Sequence, residues 1–316
     1  MKIIVGVDDS GYSIAALRSV LDREWGPDTE VKLVHAIEPF NFVYGSPYDA
    51  PGENPSELCR QVLEESQEKA DALMQKWSKY LERKFGEKNV SHKIQHGDVV
   101  TSINEEAAAW EADLIVVGSH GKSAIDRLMI GGVSRKVSVT APCSVQIVKL
   151  PPYSIAPLDE DSAPPENILV PIDDSSCSKA VVEQIIEHNW VKGSNLLLLA
   201  VVKSWADSIP FVSAIKHSDL TSADEKSKDS ARRLLETYQN DLKECEPANI
   251  KTRVATGDPR DKILNSSTNW PADLIIMGSH GRGAVMSTLL GSVSDYVSIN
   301  CHCPVQIIRP RKKQSD

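Results

Sequence analysis

Runs of apolar residues alternate with amphipathic segments along the chain, and the whole series occurs twice. In the first half the apolar runs are rich in β-branched residues, which is typical of strands buried on both faces of a parallel sheet. They predict strands at Lys2–Val7, Val31–Ile37, Val90–Gln95, Leu114–Val117 and Val145–Lys149.

The segments between these runs have helical spacing. Ser10 is a suitable N-cap for a helix that carries Ile14, Leu17 and Leu21 on one face. Pro55–Phe85 predicts a long amphipathic helix. Two shorter helices are predicted at Val99–Trp110 and from about Gly131 onward.

The second half gives the same order of elements. Its predicted strands are Ile168–Ile172, Leu196–Val202, Ile250–Ala255, Leu274–Met277 and Val305–Ile308. Strands that alternate with helices predict an α/β fold in which each half is a five-stranded parallel open sheet with helices on both faces. In such sheets ligands bind outside the carboxyl ends of the strands, so the residues that follow strands one, two and four are the candidates for a site.

The two halves are also similar residue by residue. KIIVGVDDS at 2–10 matches NILVPIDDS at 167–175, and DLIVVGSHG at 113–121 matches DLIIMGSHG at 273–281. A repeat of about 160 residues is a domain duplication, since the units of solenoids are far shorter. We therefore expect domains at 1–150 and 167–310, joined by an extended Pro-rich, acidic linker at 151–166 and followed by a polar tail at 311–316.

Composition narrows the class of protein. Of 316 residues, 41% are hydrophobic and 25% are charged, as in a globular protein, and the net charge of −9 argues against a broad nucleic-acid or membrane surface. The longest apolar run is too short to span a membrane, and an Asp pair follows the start too early for a signal peptide, which leads us to expect a cytoplasmic protein. The six cysteines form no CxxC pair, so a zinc knuckle has no support: Cys59, Cys143, Cys177, Cys245, Cys301 and Cys303.

A glycine pattern after strand four points to a ligand. Gly278 and Gly281 are followed, after nine residues, by Gly291 and Ser292, which open the last helix. Glycines let a ligand approach the backbone, and free N–H groups in a turn or at a helix N-terminus bind anions, so the pattern suits a polyphosphate. The alternative is that the glycines only form tight turns. The duplicated spacing and the nearby aspartates favour the ligand.

Those aspartates follow strand one in each half. Asp8 and Asp173 are expected to bind a ribose hydroxyl or a metal-bound phosphate, with capping of the next helix as the alternative. For the neighbouring Asp9 and Asp174, helix capping is the expected role.

On these motifs, each half resembles a universal stress protein domain, and the whole chain resembles a tandem universal stress protein. The pattern G-x2-G-x9-G-(S/T) of that family fits the second half fully. The resemblance implies Rossmann-like domains that bind ATP or another adenine nucleotide, with or without Mg²⁺, in a stress-response or regulatory protein. It also implies an intramolecular pseudo-dimer formed by antiparallel pairing of the two fifth strands. A homodimer of the whole chain is compatible with the sequence, which does not identify a protein partner.

The resemblance assigns the site residue by residue. The main site comprises Pro171, Ile172, Asp173, Val201, Met277, Gly278, His280, Gly281, Gly291, Ser292, Val293 and Ser294. A weaker site in the first half comprises Val7, Asp8, Ala36, Val117, Gly118, Gly121, Gly131, Gly132, Val133 and Ser134. Gly132 replaces the Ser or Thr of the family pattern there, which puts its phosphate site in doubt.

An enzymatic function is the alternative, as a slow ATPase or a nucleotidyl-transfer enzyme of related fold. No signature of such an enzyme and no nucleophile beside a base is found, so we predict binding without catalytic residues. His120 and His280 are interpreted as structural or ligand contacts. The Cys301-His302-Cys303 segment is interpreted as core packing, so no metal site is predicted.

Overall fold

The computed structural model describes residues 1–38, 55–120, 131–149, 166–203, 217–281 and 290–310, with side chains from 60 and from 222 in the two segments that begin at 55 and 217. The linker up to residue 165, the tail at 311–316, Gly121 and most of the nine-residue excursions lie outside the described residues.

The first half contains five strands and four helices within the described residues. Its elements are β1 (Lys2–Gly6), α1 (Gly11–Leu21), β2 (Glu30–Ile37), α2 (Pro55–Phe85), β3 (Val90–His96), α3 (Val99–Ala109), β4 (Leu114–Gly118), α4 (Gly132–Thr140) and β5 (Ser144–Val148).

The second half repeats that order. Its elements are β6 (Asn167–Ile172), α5 (Ser176–His188), β7 (Asn195–Val202), α6 (His217–Leu242), β8 (Asn249–Thr256), α7 (Pro259–Asn269), β9 (Leu274–Gly278), α8 (Ser292–Asn300) and β10 (Val305–Ile308).

All ten strands belong to one sheet, in the order β3-β2-β1-β4-β5-β10-β9-β6-β7-β8. Pairing is parallel within each half, and β5 and β10 pair antiparallel at the centre, with Gln146 opposite Gln306. The predicted fold class is confirmed, and so is the intramolecular pseudo-dimer through the fifth strands. Neither fifth strand is left as a bare edge, which removes a surface prone to aggregation.

Burial of the strands follows from their position in this sheet. Ile4, Ile115 and Ile275 are fully buried, because helices cover both faces of the central strands. On one face the core is continuous from the first half to the second, whereas on the other face each half has a cluster of its own. The continuous cluster makes the pair of domains one packed unit.

The helix caps agree with the sequence only in part. The side chain of Ser10 caps α1 by accepting a hydrogen bond from Ser13 N, and Ser175 does the same for α5. The expected capping by Asp9 and Asp174 is wrong, because the serine that follows each of them occupies the cap position. Among the residues that the structure describes, none of the helices combines the length and hydropathy needed to cross a membrane.

Candidate functional site

A cleft of about 730 Å³ opens at the carboxyl ends of β6, β7 and β9, beside the N-terminus of α8. Because β6 pairs with β7 on one side and β9 on the other, the strand order reverses here. This is where open α/β sheets bind ligands. The volume is within the range of small-molecule sites.

The twelve residues predicted for the second half all line this cleft. They come from three strand ends and from the start of α8, which the fold brings to one place. The cleft also has walls that the sequence analysis did not include, formed by Leu199, by Lys203, by Lys226, Ser227 and Ser230 of α6, and by Pro259 and Ile263 of α7.

Two of the motif glycines are required by close packing. A Cβ at position 278 would lie 2.8 Å from the Cβ of Cys177 on α5, and one at position 291 would lie 2.9 Å from the carbonyl oxygen of Ser279. Gly278 therefore lets α5 pack against the end of β9. Gly291 lets α8 begin directly against the loop that follows β9, with Gly291 N donating to Ser279 O at 2.8 Å.

The N-terminus of α8 presents its first backbone N–H groups to the cleft. Gly291 is the N-cap and provides no side-chain hydrogen bond, and the first helical hydrogen bond runs from Asp295 N to Gly291 O. The N–H groups of Ser292, Val293 and Ser294 precede that bond, and all three residues line the cleft. A helix N-terminus of this kind attracts an anion.

Ser294 stabilises this arrangement through its hydroxyl. The group is buried and donates to Ser279 O at 2.7 Å and to Gly291 O at 2.9 Å. Its side chain thus fixes the loop to the helix, while the hydroxyl of Ser292 is on an exposed residue at the helix start.

The two carboxylate oxygens of Asp173 have different surroundings. Oδ1 accepts hydrogen bonds from Ser175 N at 3.1 Å, from Ser175 Oγ and from Ser178 Oγ at 2.6 Å, all in the first turn of α5. Oδ2 faces the glycine loop, since a Cβ at Gly281 would lie 2.9 Å from it. The side chain therefore orders the α5 turn with one oxygen and presents the other to the cleft.

The residue before the lining residue Pro259 is an ion-paired aspartate, whose carboxylate binds the guanidinium of Arg260 at 2.7 Å. Asp258 is the N-cap of α7, and hydrogen bonds from Arg260 lower the pKa of its carboxyl to about 2. His280, also in the lining, has its Nδ1 3.2 Å from Ser279 Oγ. The ring is thereby oriented by the residue that precedes it.

At the end of β4, the first half has the same close packing as at Gly278, with different side chains. A Cβ at Gly118 would lie 2.6 Å from the Cβ of Tyr12, and the Tyr12 ring lies against the His120 ring with centroids 5.0 Å apart. Asp8 accepts from Ser10 and Ser13 as Asp173 does from its serines. The remaining predicted residues of this half lie at the equivalent positions, except Gly121, which is outside the described part of the chain.

The two halves carry opposite charges at the residue after their second strand and at one position of their long helix. Lys203 and Lys226 line the second-half cleft, and Glu38 and Glu65 stand at the matching positions of the first half. We aligned α2 with α6 through their buried residues: Ala70, Met74 and Leu81 correspond to Ala231, Leu235 and Leu242.

The cysteines at the end of the chain are part of the core, as interpreted from the sequence. Cys301 and Cys303 are buried in the continuous cluster, Cys301 Sγ donates to Cys303 O at 2.7 Å, and His302 is exposed. These residues precede β10 instead of lying in a strand, so a turn places the two cysteines inside and the histidine outside. Among the described residues no three His, Cys, Asp or Glu side chains are grouped so that they could hold a metal ion.

Two proteins that match over the full length agree with this architecture. A universal stress protein of Mycolicibacterium smegmatis is 28% identical over 316 residues, covering 98% of this chain and 97% of that protein. The structure of a universal stress protein from Archaeoglobus fulgidus has the same fold, with a TM-score of 0.59, 20% identity and 98% coverage of both chains. A universal stress protein of Arabidopsis thaliana, solved with AMP bound, is 22% identical and covers 48% of this chain and 97% of its own, with a TM-score of 0.33.

The family profile itself matches twice. The profile of the Universal stress protein family covers residues 1–149 and again residues 165–309, which together account for nearly the whole sequence. The chain belongs to the universal stress protein family and carries two of its domains in tandem.

Proposed function

We propose that the second half binds ATP or another adenine nucleotide and that the protein is a nucleotide-binding regulator of a stress response, without rapid turnover. The observation that carries this proposal is the open N-terminus of α8 beside Gly281 and Gly291, facing a cleft that also contains the carboxylate of Asp173.

The residues present fit the parts of such a nucleotide. A Cβ at Gly281 or Gly291 would occupy the space beside the loop, so the glycines leave a cradle for a group that approaches the backbone. The N–H groups of Ser292, Val293 and Ser294 and the Ser292 hydroxyl would hold phosphate oxygens. Asp173 would accept from a ribose hydroxyl or hold a metal-bound water.

The apolar part of the cleft would receive the base. Val201, Leu199, Ile263 and Met277 form this part of the wall. Apolar walls with a few placed polar groups are typical of cofactor sites. Lys203 and Lys226 would offset the negative charge of Asp173 and Asp174 and favour a polyanionic ligand.

Mass spectrometry of small molecules released by denaturing the purified protein tests the proposal. We expect an adenine nucleotide at a stoichiometry near one per chain, and addition of ATP to stripped protein should raise its melting temperature. The proposal would be contradicted if the purified protein released no adenine nucleotide and the stripped protein bound none. Sustained phosphate release faster than about one turnover per minute, well below typical enzyme rates, would instead favour the ATPase alternative.

A further inference from the structure

The interface between the two halves brings equivalent positions of the repeat face to face. Gln146 of β5 lies opposite Gln306 of β10, and these are the same position in the two halves. An axis of approximate twofold symmetry therefore passes between them. A pair of two first halves, or of two second halves, would bring each residue on this axis against its own copy.

A salt bridge on this axis joins unlike charges at one position of the repeat. Arg135 of α4 and Asp295 of α8 are equivalent, and the guanidinium binds the carboxylate through Nε at 3.3 Å and Nη2 at 3.0 Å. In a pair of like halves the same contact would be Arg against Arg or Asp against Asp. The attraction between these two partly exposed side chains is small. In both like pairs it is replaced by a repulsion, so the difference in energy between unlike and like pairs is twice the attraction alone.

Arg23 adds a buried charge that the second half does not have. Its side chain is 2% exposed, and Nη1 donates to both Gln146 Oε1 at 3.2 Å and Gln306 Oε1 at 2.8 Å. Its guanidinium carbon lies 5.3 Å from the ring of Trp25 and 5.5 Å from the ring of Trp190. The residue equivalent to Arg23 in the second half is His188.

A pair of two first halves would place two such guanidinium groups at one point. By symmetry, both would be within hydrogen-bond distance of the same two glutamine oxygens, in a buried site. Nε and Nη2 of the single Arg23 already have no hydrogen-bond partner within the described residues. Burial lowers the pKa of Arg23 to about 10, so the group is still charged at neutral pH, and a second buried cation beside it is strongly unfavourable.

We propose that Arg23 and the Arg135–Asp295 pair make this interface specific for unlike halves, so that each domain accepts the other domain and rejects a copy of itself. The antiparallel strands and the Gln146–Gln306 contact are available to any pair of domains and supply the attraction. The unequal charges select the partner.

The experiment uses the full chain with a protease site inserted in the linker at 151–166. After cleavage, native mass spectrometry separates the three possible pairs, because the halves differ in mass. Mixing with a ¹⁵N-labelled copy shows when the halves have exchanged partners. If exchange is slow, the mixture is refolded from urea so that the pairs reach their equilibrium distribution. Random pairing would make half of the pairs unlike. We expect like pairs to be about tenfold or more below that random level.

Matched variants assign the effect to the charges. Arg23→Met combined with Arg135→Gln and Asp295→Asn should bring the distribution close to random, because no charge then remains at these positions. The charge exchange Arg135→Asp with Asp295→Arg keeps opposite charges in contact and should retain the selectivity of the parent. A random distribution for the parent after exchange or refolding would overturn the proposal, and so would undiminished selectivity in the chain that carries Arg23→Met, Arg135→Gln and Asp295→Asn.

Discussion

Asp173 performs two tasks that a substitution can separate. One carboxylate oxygen accepts three hydrogen bonds from the α5 turn, and the other faces Gly281. We expect Asp173→Asn to keep an acceptor for the serines and to remove the charge at the cleft. Nucleotide affinity should then fall by about 1.5–3 kcal/mol, which is a factor of about 10–150, with a small change in the melting temperature of the free protein.

Calorimetric titration and thermal melts of the stripped protein measure both effects. Asp173→Ala removes the acceptor as well, so it should lower both affinity and melting temperature. Asp8→Asn is the matched control in the first half. Unchanged affinity in Asp173→Asn, with loss of stability alone, would show that the residue only orders the turn.

Glu106 is a buried charge whose effect depends on pH. Oε1 accepts from Lys32 Nζ at 2.8 Å and Oε2 accepts from Lys93 Nζ, with the side chain 5% exposed. Burial alone would raise the pKa of this carboxyl, but the two lysines together lower it below its usual value. Because the pKa is lower in the folded state, the stabilisation is complete above the unfolded pKa of about 4.3 and is lost as pH falls through the folded pKa.

Glu106→Gln should therefore destabilise the protein at pH 7 by about 1–3 kcal/mol and reduce its sensitivity to acid below about pH 4.3. Urea unfolding from pH 7 down to pH 3 measures this. Glu105→Gln, which changes the exposed neighbour on the same helix, should have little effect at either pH. An identical acid response in Glu106→Gln and the parent chain would show that the carboxylate contributes nothing specific.

Among the elements, the starts of α4 and α8 offer a direct exchange of side chains. A Cβ added at Gly132 would meet no atom within 4 Å, so Gly132→Ser is accommodated without strain. Ser292→Gly removes the hydroxyl proposed to bind phosphate. We expect Ser292→Gly to weaken ATP binding by a factor of about 10–150, because a hydrogen bond to a charged group contributes about 1.5–3 kcal/mol.

Titration of the full chain with ATP compares the parent, Ser292→Gly, Gly132→Ser and the double variant. Gly132→Ser should strengthen any binding in the first half and leave the main site unchanged. If Ser292→Gly binds as tightly as the parent, the hydroxyl is not what makes the second site effective, and the charges of Lys203 and Lys226 become the better explanation.

The sequence predicts most element boundaries because the strands are continuous apolar runs. Pro55–Phe85 and Val305–Ile308 agree with the structure to the residue, β1 and β4 differ by one residue at one end, and β5 is shifted by one residue at both ends. The caps were harder to predict, since Ser and Asp are both good N-caps and stand next to each other at 174–175. Only the path of the backbone decides between them.

The cleft could be predicted on the side formed by the strand ends and the start of α8, and not on the side formed by α6 and α7. Motif spacing along one segment locates Gly278, Gly281 and Gly291. By contrast, Lys226 and Ile263 enter the wall through the packing of α6 and α7 over the sheet, which no local pattern encodes. Arg23 is a similar case, because the polar segment around it is typical of an exposed loop and only the pairing of the two halves buries it.

In the whole molecule, each half caps a helix of the other half. Arg309, just after β10, donates from Nη2 to Ser138 O at 2.8 Å and to Val139 O at 2.9 Å at the C-terminal end of α4. Lys149, just after β5, donates from Nζ to Ile299 O at 2.9 Å near the end of α8. Carbonyl groups at a helix C-terminus lack helical partners and carry partial negative charge, so a cation stabilises them.

Removing these cations should weaken the joined molecule without changing the glycine-rich segments of either half. We expect Arg309→Met to lower the free energy of unfolding by about 1.5–3 kcal/mol and Lys149→Met by about 1–2 kcal/mol, because the arginine satisfies two carbonyls and the lysine one. Urea denaturation of the full chain measures both, with Lys179→Met on the exposed face of α5 as the control. The two losses should add in the double variant, since the contacts are at separate helix ends. Losses no larger than that of Lys179→Met would mean that the strands and the continuous core hold the halves together without help from the caps.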